Sequence, residues 1–263
     1  MKRVGLTALL VVGIATSAFA DVTIKQTTGG KGMGVSTTGT TTTYLKGMKM
    51  RTDTSMGDTI RTTIFDVDAQ KMYIFDSKKK EADVWDMAAF GAEMAKNVET
   101  GDMKASVKPN GQTKQIAGKT ANGYDLEISV PANIGGGAKG MKMTVMLTGP
   151  MWIVKGAPGT AEYMAFYKAA VDKGWIFSDP RAAKGSPGQA KAMAQMYKEL
   201  AATGGVPYET EMNIKMSGEG PMAGMMAKMG AISATSTVQT IETAAIAADV
   251  FAPPAGYKLN EKK

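Results

Sequence analysis

Methionine is the residue type in this sequence that most strongly suggests a specific chemistry. The chain has 22 methionines, 0 cysteines and 0 histidines. Thioethers are soft ligands that suit Cu(I), and several methionines occur in close sets with spacing compatible with such a site. The set that packing explains least well is Met222, Met225, Met226 and Met229. These four residues are the candidate ligands if the protein binds copper.

Packing is the alternative explanation for the same residues. Methionine fills irregular apolar space and lines surfaces that adapt to varied ligands. Met48 and Met50 follow the alternation of a strand, whereas Met193 and Met196 lie on the apolar side of a predicted helix. Most methionines are therefore expected in a core or a ligand cavity, and copper binding remains the alternative hypothesis.

Two other motifs do not meet the requirements of their sites. Gly118–Thr120 could end a phosphate-binding loop, but the required earlier glycine is replaced by Thr113. Asp66 and Asp68 could begin a calcium loop, but Lys71 occupies the position of its glycine. Both segments are predicted to be turns.

The absence of histidine and cysteine removes whole classes of catalysis. Ser-His-Asp and Cys-His mechanisms require these residues, as do ordinary zinc sites. Two carboxylates could still meet as a glycosidase pair, but one sequence gives no means of choosing them. We therefore predict a protein that is not an enzyme and has no cofactor.

The first 20 residues have the pattern of a secretory signal peptide. Lys2 and Arg3 precede an apolar run too short to span a bilayer, which ends in the small-residue signature at 18–20. We expect cleavage before Asp21 and a mature chain that is periplasmic or secreted and does not span the membrane. Without cysteine the chain cannot itself be a lipoprotein.

The charge balance is modestly basic. Removing the signal with its two basic residues lowers the net charge from +7 to +5. A nucleic-acid binder more often has clustered Lys and Arg with interleaved aromatic residues. Nucleic acid is therefore not an expected partner.

Alternation of apolar and polar residues predicts many strands. It is clearest at 124–130 and 208–216, and similar patterns cover 22–26, 48–54, 59–65, 71–75, 141–148 and 232–241. Gly, Asn and Asp separate these segments, as is typical of the turns in an antiparallel sheet. One wet and one dry face are expected.

Three helices are predicted among the strands. The first spans 86–97 with Asp86 as N-cap, the second spans about 160–173 and ends at Gly174, and the third begins after Ser186. Pro187 at the first helical position and Gln189 in a capping box mark the start of the third helix.

These elements fit an α+β fold. We predict one domain over 21–263, with a helical insertion at about 157–205. A dry sheet face has to be covered by helices or by a ligand.

Several segments resemble a known superfamily. The order "MKMRTD", "TIRTTIFD" and "KMYIFDSKKKEADVWD" resembles the early meander of the LolA/LolB-like lipoprotein carriers. The segments "GKTANGYDLEI", "GPMWIVKGAPGTAEYMAFYKA", "GGVPYETEM" and "DVFAPPAGYKL" resemble an uncharacterised family of secreted bacterial proteins grouped with that superfamily. The lid-holding arginine of the carriers would fall near Lys46 or Gly47, so lipoprotein transfer does not follow from the resemblance.

The resemblance implies a strongly curved antiparallel sheet, or half-barrel, covered by amphipathic helices. Its concave face would bind a hydrophobic small molecule, lipid or acyl chain. The alternation predicts these concave residues: Met48, Met50, Ile60, Ile64, Met72, Ile74, Leu126, Ile128, Met143, Val145 and Leu147. Trp85 and Trp152 are predicted at its rim, because indole rings suit a boundary between wet and dry surfaces.

Three functional hypotheses follow from the sequence. The leading one is a periplasmic protein that holds a lipid-like ligand in the half-barrel. The alternatives are a methionine-rich Cu(I)-binding envelope protein and an envelope interaction module whose core is filled by its own helices. The last of these would act through a protein partner.

Overall fold

One large sheet organises the chain in the computed structural model. The structure describes residues 20–32, 35–97, 103–134, 141–175, 177, 179–185, 187–218 and 232–262. Within these ranges, twelve strands form an open, curved sheet in the order β12-β6-β5-β4-β3-β2-β1-β11-β10-β9-β8-β7. Neighbouring strands are antiparallel except β12, which pairs in parallel with β6. The predicted α+β half-barrel class is confirmed.

The strands vary in length from 5 residues in β12 to 16 residues in β8. The first six are β1 (Val22–Gly32), β2 (Val35–Lys46), β3 (Lys49–Met56), β4 (Thr59–Asp66), β5 (Lys71–Asp76) and β6 (Glu81–Asp86). The other six are β7 (Lys104–Ile116), β8 (Lys119–Ile134), β9 (Met141–Val154), β10 (Val206–Gly218), β11 (Ile232–Thr243) and β12 (Lys258–Lys262).

Aspartate side chains organise two of the hairpin turns. Asp66 Oδ1 accepts the Ala69 N–H at 2.9 Å in the turn between β4 and β5. Asp76 Oδ1 accepts the N–H groups of Lys78 and Lys79, each at 3.1 Å, between β5 and β6. A carboxylate that bonds the backbone two or three residues ahead stabilises a turn. Asp66 therefore has the predicted turn role.

Four α-helices lie within the described residues: α1 (Met87–Asn97), α2 (Thr160–Asp172), α3 (Pro180–Gly185) and α4 (Pro187–Thr203). Asp86 caps α1, since its Oδ1 accepts the Ala89 N–H at 2.9 Å. Gly174 ends α2 with φ near 72°, and the next N–H, from Trp175, bonds the Ala170 carbonyl at 3.0 Å. Both predicted boundaries are correct, whereas α3 was not predicted and Ser186 lies outside the described residues.

All four helices are too short or too polar to cross a membrane by themselves, within the part of the chain that is described. Helices α2 and α4 pack on one face of the sheet, which we call the inner face. Side chains on the inner face of β1 to β6 pack with α1 and α2 in one apolar cluster. Side chains on the inner face of β8 to β10 pack with α4 in a second cluster. Helical side chains thus fill much of the inner face.

The opposite, outer face is covered over β3 to β6 by the segment between β11 and β12. A short 3-10 helix in this segment spans Ala248–Phe251. Arg51 Nη1 donates to the Val250 carbonyl at 3.0 Å, and the Tyr257 ring lies 5.8 Å from that of Phe75. Beneath the segment, Ile64 and Val84 are each only 1% exposed. The sheet is therefore apolar on both faces in this region.

Candidate functional site

The inner face changes from apolar to polar along the strands. Residues paired across neighbouring strands share a face. One such row is wholly apolar and buried: Val22, Leu45, Met50, Phe65, Met72 and Trp85. Four residues further along the strands, a parallel row consists of Gln26, Thr41, Thr54 and Arg61. The helices cover the apolar row, and threonines dominate the transition between the two.

An aromatic wall stands on the inner face and consists of Tyr167, Phe177 and Tyr197. The Phe177 ring centroid lies 5.0 Å from that of Tyr167 and 4.8 Å from that of Tyr197. The two tyrosine rings stack at 5.1 Å. Burial raises the pKa of both tyrosines, so their hydroxyls stay protonated at ordinary pH.

The larger of two cavities described here lies on one side of this wall and has a volume of about 410 Å³. It is lined by Thr52, Thr54, Met56, Thr59, Arg61, Thr63, Phe65, Met72, Phe177 and Asp179. Phe65, Met72 and Phe177 form an apolar floor at its inner end, and threonines of β3 and β4 form the walls. The cavity is therefore amphipathic along its length.

The smaller cavity lies on the other side of the wall and has a volume of about 220 Å³. It is lined by Gln26, Met151, Tyr163, Tyr167, Met193, Met196, Tyr197, Leu200, Pro207, Thr210, Met212, Ala234, Thr235 and Ser236. Four of these residues are methionines, contributed by β9, α4 and β10. Within the described ranges, no three His, Cys, Asp or Glu side chains are grouped to hold a metal ion.

A network of ion pairs borders the larger cavity. Arg61 on β4 contacts the Asp179 carboxylate. Arg181 binds the same carboxylate, with Nη2 2.9 Å from Oδ2 and its own backbone N–H 2.9 Å from Oδ1. Burial alone would raise the pKa of Asp179, but the bonds from Arg181 and the charge of Arg61 outweigh it and lower that pKa. Asp179 is therefore a stable anion.

Most residues predicted for the concave face do lie on the inner face. The structure places these on it: Met50, Met72, Ile74, Leu126, Ile128, Met143, Val145 and Leu147. Trp85, predicted at the rim, is instead buried on the inner face with 6% exposure. Met72 lines the larger cavity, whereas the others lie under the helices in the two apolar clusters. Met48 is in the turn after β2 and packs at the margin of the first cluster. Whether any of them contacts a ligand remains a prediction.

Three predicted residues lie on the outer face: Ile60 and Ile64, which were predicted for the concave face, and Trp152, which was predicted at its rim. Ile64 pairs with Arg51 and Tyr73, so it points away from the helices and lies under the C-terminal segment. Ile60 is also on the outer face and is 62% exposed. Trp152 pairs with Glu209 on the outer face, where Lys114 Nζ lies 5.4 Å from its ring. Alternation separates two faces but does not say which one the helices cover.

Sequence reasoning missed the polar part of the site. Arg61, the threonines around it and the aromatic wall were not among the candidates, although the alternation of β4 places Arg61 on the same face as Phe65. The candidate copper residues Met222, Met225, Met226 and Met229 lie outside the described residues.

The fold is an open half-barrel with helices on one face. No family model and no curated protein matches the chain. Its structure is similar to that of PNGF-II, with a TM-score of 0.36 and 11% identity over 92% of this chain and 31% of that one. It is also similar to a LolA superfamily protein from Nitrosomonas europaea, with a TM-score of 0.29 and 6% identity over 89% of this chain and 90% of that one.

The chain thus spans less than a third of the PNGF-II structure. TM-scores this low do not transfer a function from either protein. The residues that line the two cavities are the basis for a functional proposal.

Proposed function

We propose that this protein is a non-enzymatic periplasmic or secreted binding protein that holds a lipid-like or acyl ligand on the inner face of its half-barrel. The observation that carries the proposal is the cavity of about 410 Å³ with a floor of Phe65, Met72 and Phe177. Small-molecule sites are typically largely apolar cavities of roughly 300–1,000 Å³ with a few polar groups. The ligand would occupy the part of the inner face that the helices leave open.

The aromatic wall supports a ligand longer than one cavity. Phe177 lines the larger cavity, and its ring contacts Tyr167 and Tyr197, which line the smaller one. A change of the Phe177 rotamer would connect the two spaces. The methionines of the smaller cavity would then adapt to chains of different shape.

The described carboxylates with shifted pKa values have structural roles. The pKa values of Asp21, Asp76 and Asp179 are all lowered by hydrogen bonds and neighbouring cations. These groups stabilise turns and ion pairs, which is a structural role.

The proposal can be tested first by native mass spectrometry of residues 21–263, purified gently from a bacterial periplasm. We expect a bound mass that denaturing extraction identifies as an acyl compound. A protein that is always empty would favour the interaction-module hypothesis, in which the helices complete the core and a protein partner is the ligand.

A pair of variants tests the location of the site. Thr54→Phe places a large side chain in the larger cavity, whereas Ser55→Phe places the same side chain on the outer face of the same strand. We expect Thr54→Phe to weaken binding of an uncharged fluorescent acyl probe at least tenfold and Ser55→Phe to leave it unchanged. Equal binding by both variants and the parent protein would exclude this cavity.

Copper binding is a second candidate, favoured by the four methionines that line the smaller cavity. In this case Met193→Leu with Met196→Leu would remove two thioethers at nearly constant volume and abolish stoichiometric Cu(I) uptake. Anaerobic titration against a competing chelator measures this, with Met72→Leu as the control because Met72 lines the other cavity. Absence of uptake by the parent protein would exclude copper.

A further inference from the structure

The larger cavity has charge at one end only. Of the described residues that line it, Arg61 and Asp179 are charged. Arg61 lies four residues from Phe65 along β4, which is about 13 Å at the usual rise of a strand. Thr63 lies between them on the same face and is buried. A molecule that extends from the floor would therefore meet a guanidinium group.

Arg61 forms an ion pair with Asp179 in which another anion can replace the Asp179 carboxylate. Its side chain is 48% exposed, and its partner is the Asp179 carboxylate. Asp179 does not depend on Arg61 for its charge compensation, because Arg181 Nε and Nη2 also reach it at 3.1 and 2.9 Å. Loss of one of two cationic partners costs a carboxylate much less than loss of both. An incoming anion can thus replace Asp179 at Arg61 without leaving a buried charge unpaired.

Arginine is also suited to this role by its geometry. Its planar guanidinium forms paired hydrogen bonds with carboxylate or phosphate oxygens. Thr54 lies directly opposite Arg61 on β3, and its hydroxyl is within reach of another threonine, Thr41, at 3.2 Å. The wall next to the guanidinium therefore offers hydroxyl groups, whereas the floor offers none.

Building on the proposed function, we infer that the ligand is a single-chain amphiphile with an anionic head group. Its hydrocarbon chain packs on Phe65, Met72 and Phe177. Its carboxylate or phosphate binds Arg61 in place of Asp179. The head group lies toward solvent, because Arg61 is half exposed while the floor residues Phe65 and Met72 are buried.

The test uses four compounds with the same twelve-carbon chain: dodecanoate, dodecyl phosphate, dodecanol and dodecyltrimethylammonium. Their affinities are measured below micelle concentration by displacement of an uncharged fluorescent probe. We expect dodecanoate, dodecyl phosphate or both to bind at least tenfold more tightly than dodecanol, and the cation to bind most weakly. The two anions distinguish a carboxylate from a phosphate head group.

Two substitutions should change this preference in opposite directions. Arg61→Gln should weaken binding of the two anions at least tenfold more than binding of dodecanol, so that their advantage over dodecanol is lost. Asp179→Asn should increase that advantage several-fold, because the competing charge is lost while the amide oxygen can still accept the Arg181 N–H at the start of α3. Lys25→Gln, on an exposed lysine paired with Glu242, is the control for a general loss of positive charge.

The outcomes separate this inference from the proposed function. If dodecanoate, dodecyl phosphate and dodecanol bind equally to the parent protein and to Arg61→Gln, the head-group inference is wrong and the binding function stands. If none of the four compounds binds, both are wrong. If Lys25→Gln weakens the anions as much as Arg61→Gln does, the preference comes from net charge and the assignment to Arg61 is wrong.

Discussion

Asp21 joins the beginning of the first strand to a segment near the end of the chain. Its Oδ2 accepts hydrogen bonds from the Lys46 ammonium at 2.6 Å and from the Ile246 N–H at 2.7 Å. Lys46 Nζ also donates to the Ile246 carbonyl at 2.8 Å. Burial opposes ionisation of Asp21, but these hydrogen bonds outweigh it and lower its pKa below the ordinary 3.8. One carboxylate therefore links the start of β1, the end of β2 and the segment after β11.

We expect Asp21→Asn to lower the free energy of unfolding at neutral pH by about 1–2 kcal/mol, because hydrogen bonds to a charged acceptor are lost. A lowered folded-state pKa stabilises the fold above the unfolded pKa, and this contribution is lost as pH falls through the folded pKa. Urea unfolding should thus show a difference at pH 7 that shrinks below about pH 4. Asp172→Asn, in an exposed pair with Lys168, is the control. A difference independent of pH would contradict the electrostatic explanation.

Residue types predicted the apolar half of the site better than its polar half. The alternation of residues 71–75 predicts Met72 on the concave face, and the structure places it on the inner face. Ile64 follows the same rule but faces the other way, since a distant segment buries the outer face above it. Arg61 was overlooked because a single arginine in an alternating strand is ordinary, and Asp179 approaches it from 118 residues away.

At the scale of elements, Gly149 permits a close approach between β9 and β10. The ladder between β9 and β10 is interrupted between the pairs Thr210 with Met151 and Asn213 with Thr148. Gly149 has a φ of 149°, and a Cβ there would lie 1.9 Å from the Glu211 carbonyl oxygen. Pro150 follows and contributes no N–H. The two residues therefore let β10 approach β9 closely.

Gly149→Ala should therefore cost about 2–4 kcal/mol of stability, because backbone has to move to accept the methyl group. Gly118→Ala is the matched control, since Gly118 also has a positive φ, 71°, but has open space around its Cβ position. That change should cost only about 1 kcal/mol. Thermal or urea unfolding of the two variants measures the difference. Equal costs would show that the close approach to Glu211 is unimportant.

Some elements gave no clear pattern in the sequence. Strand β2 includes the run "STTGTTTTY", in which threonines occupy both faces, so period-two alternation is absent. Strand β7 is an edge strand with mostly exposed residues and an irregular ladder near Pro109, which also hides its period. By contrast, β8 and β10 have one buried face at least in part, and their alternation predicted them. Helix α3, at six residues, is too short for a helical period to be recognised.

At the scale of the whole molecule, the C-terminal segment makes the sheet a three-layered structure over β3 to β6. Helices cover one side, and residues 244–257 cover the other. Arg51 binds this segment through the Val250 carbonyl, and Phe251 is buried. A sheet with apolar residues on both faces needs both covers.

We expect Arg51→Gln to loosen the segment and to increase binding of an apolar dye, because Ile64 and Val84 become accessible. Stability should fall by about 1–2 kcal/mol, since the Val250 carbonyl and Asp53 lose their charged donor. Limited proteolysis should show earlier cleavage within 244–257. Lys25→Gln provides the control on the same face. Unchanged dye binding and cleavage would show that Arg51 does not hold the segment.

The position of β1 also determines the order in which the sheet can be completed. Strand β1 lies between β2 and β11, and its Thr27 bonds the Thr237 carbonyl, 210 residues away in the chain. Strands β1 to β6 form one series of local hairpins, and β7 to β10 form another around the helices. Among the described strands, β11 alone pairs with both series, and β12 alone pairs with the free edge of β6. Because long-range pairing is slow, we expect refolding to proceed through two partly formed series of strands that are not paired into one sheet until the last 32 residues dock.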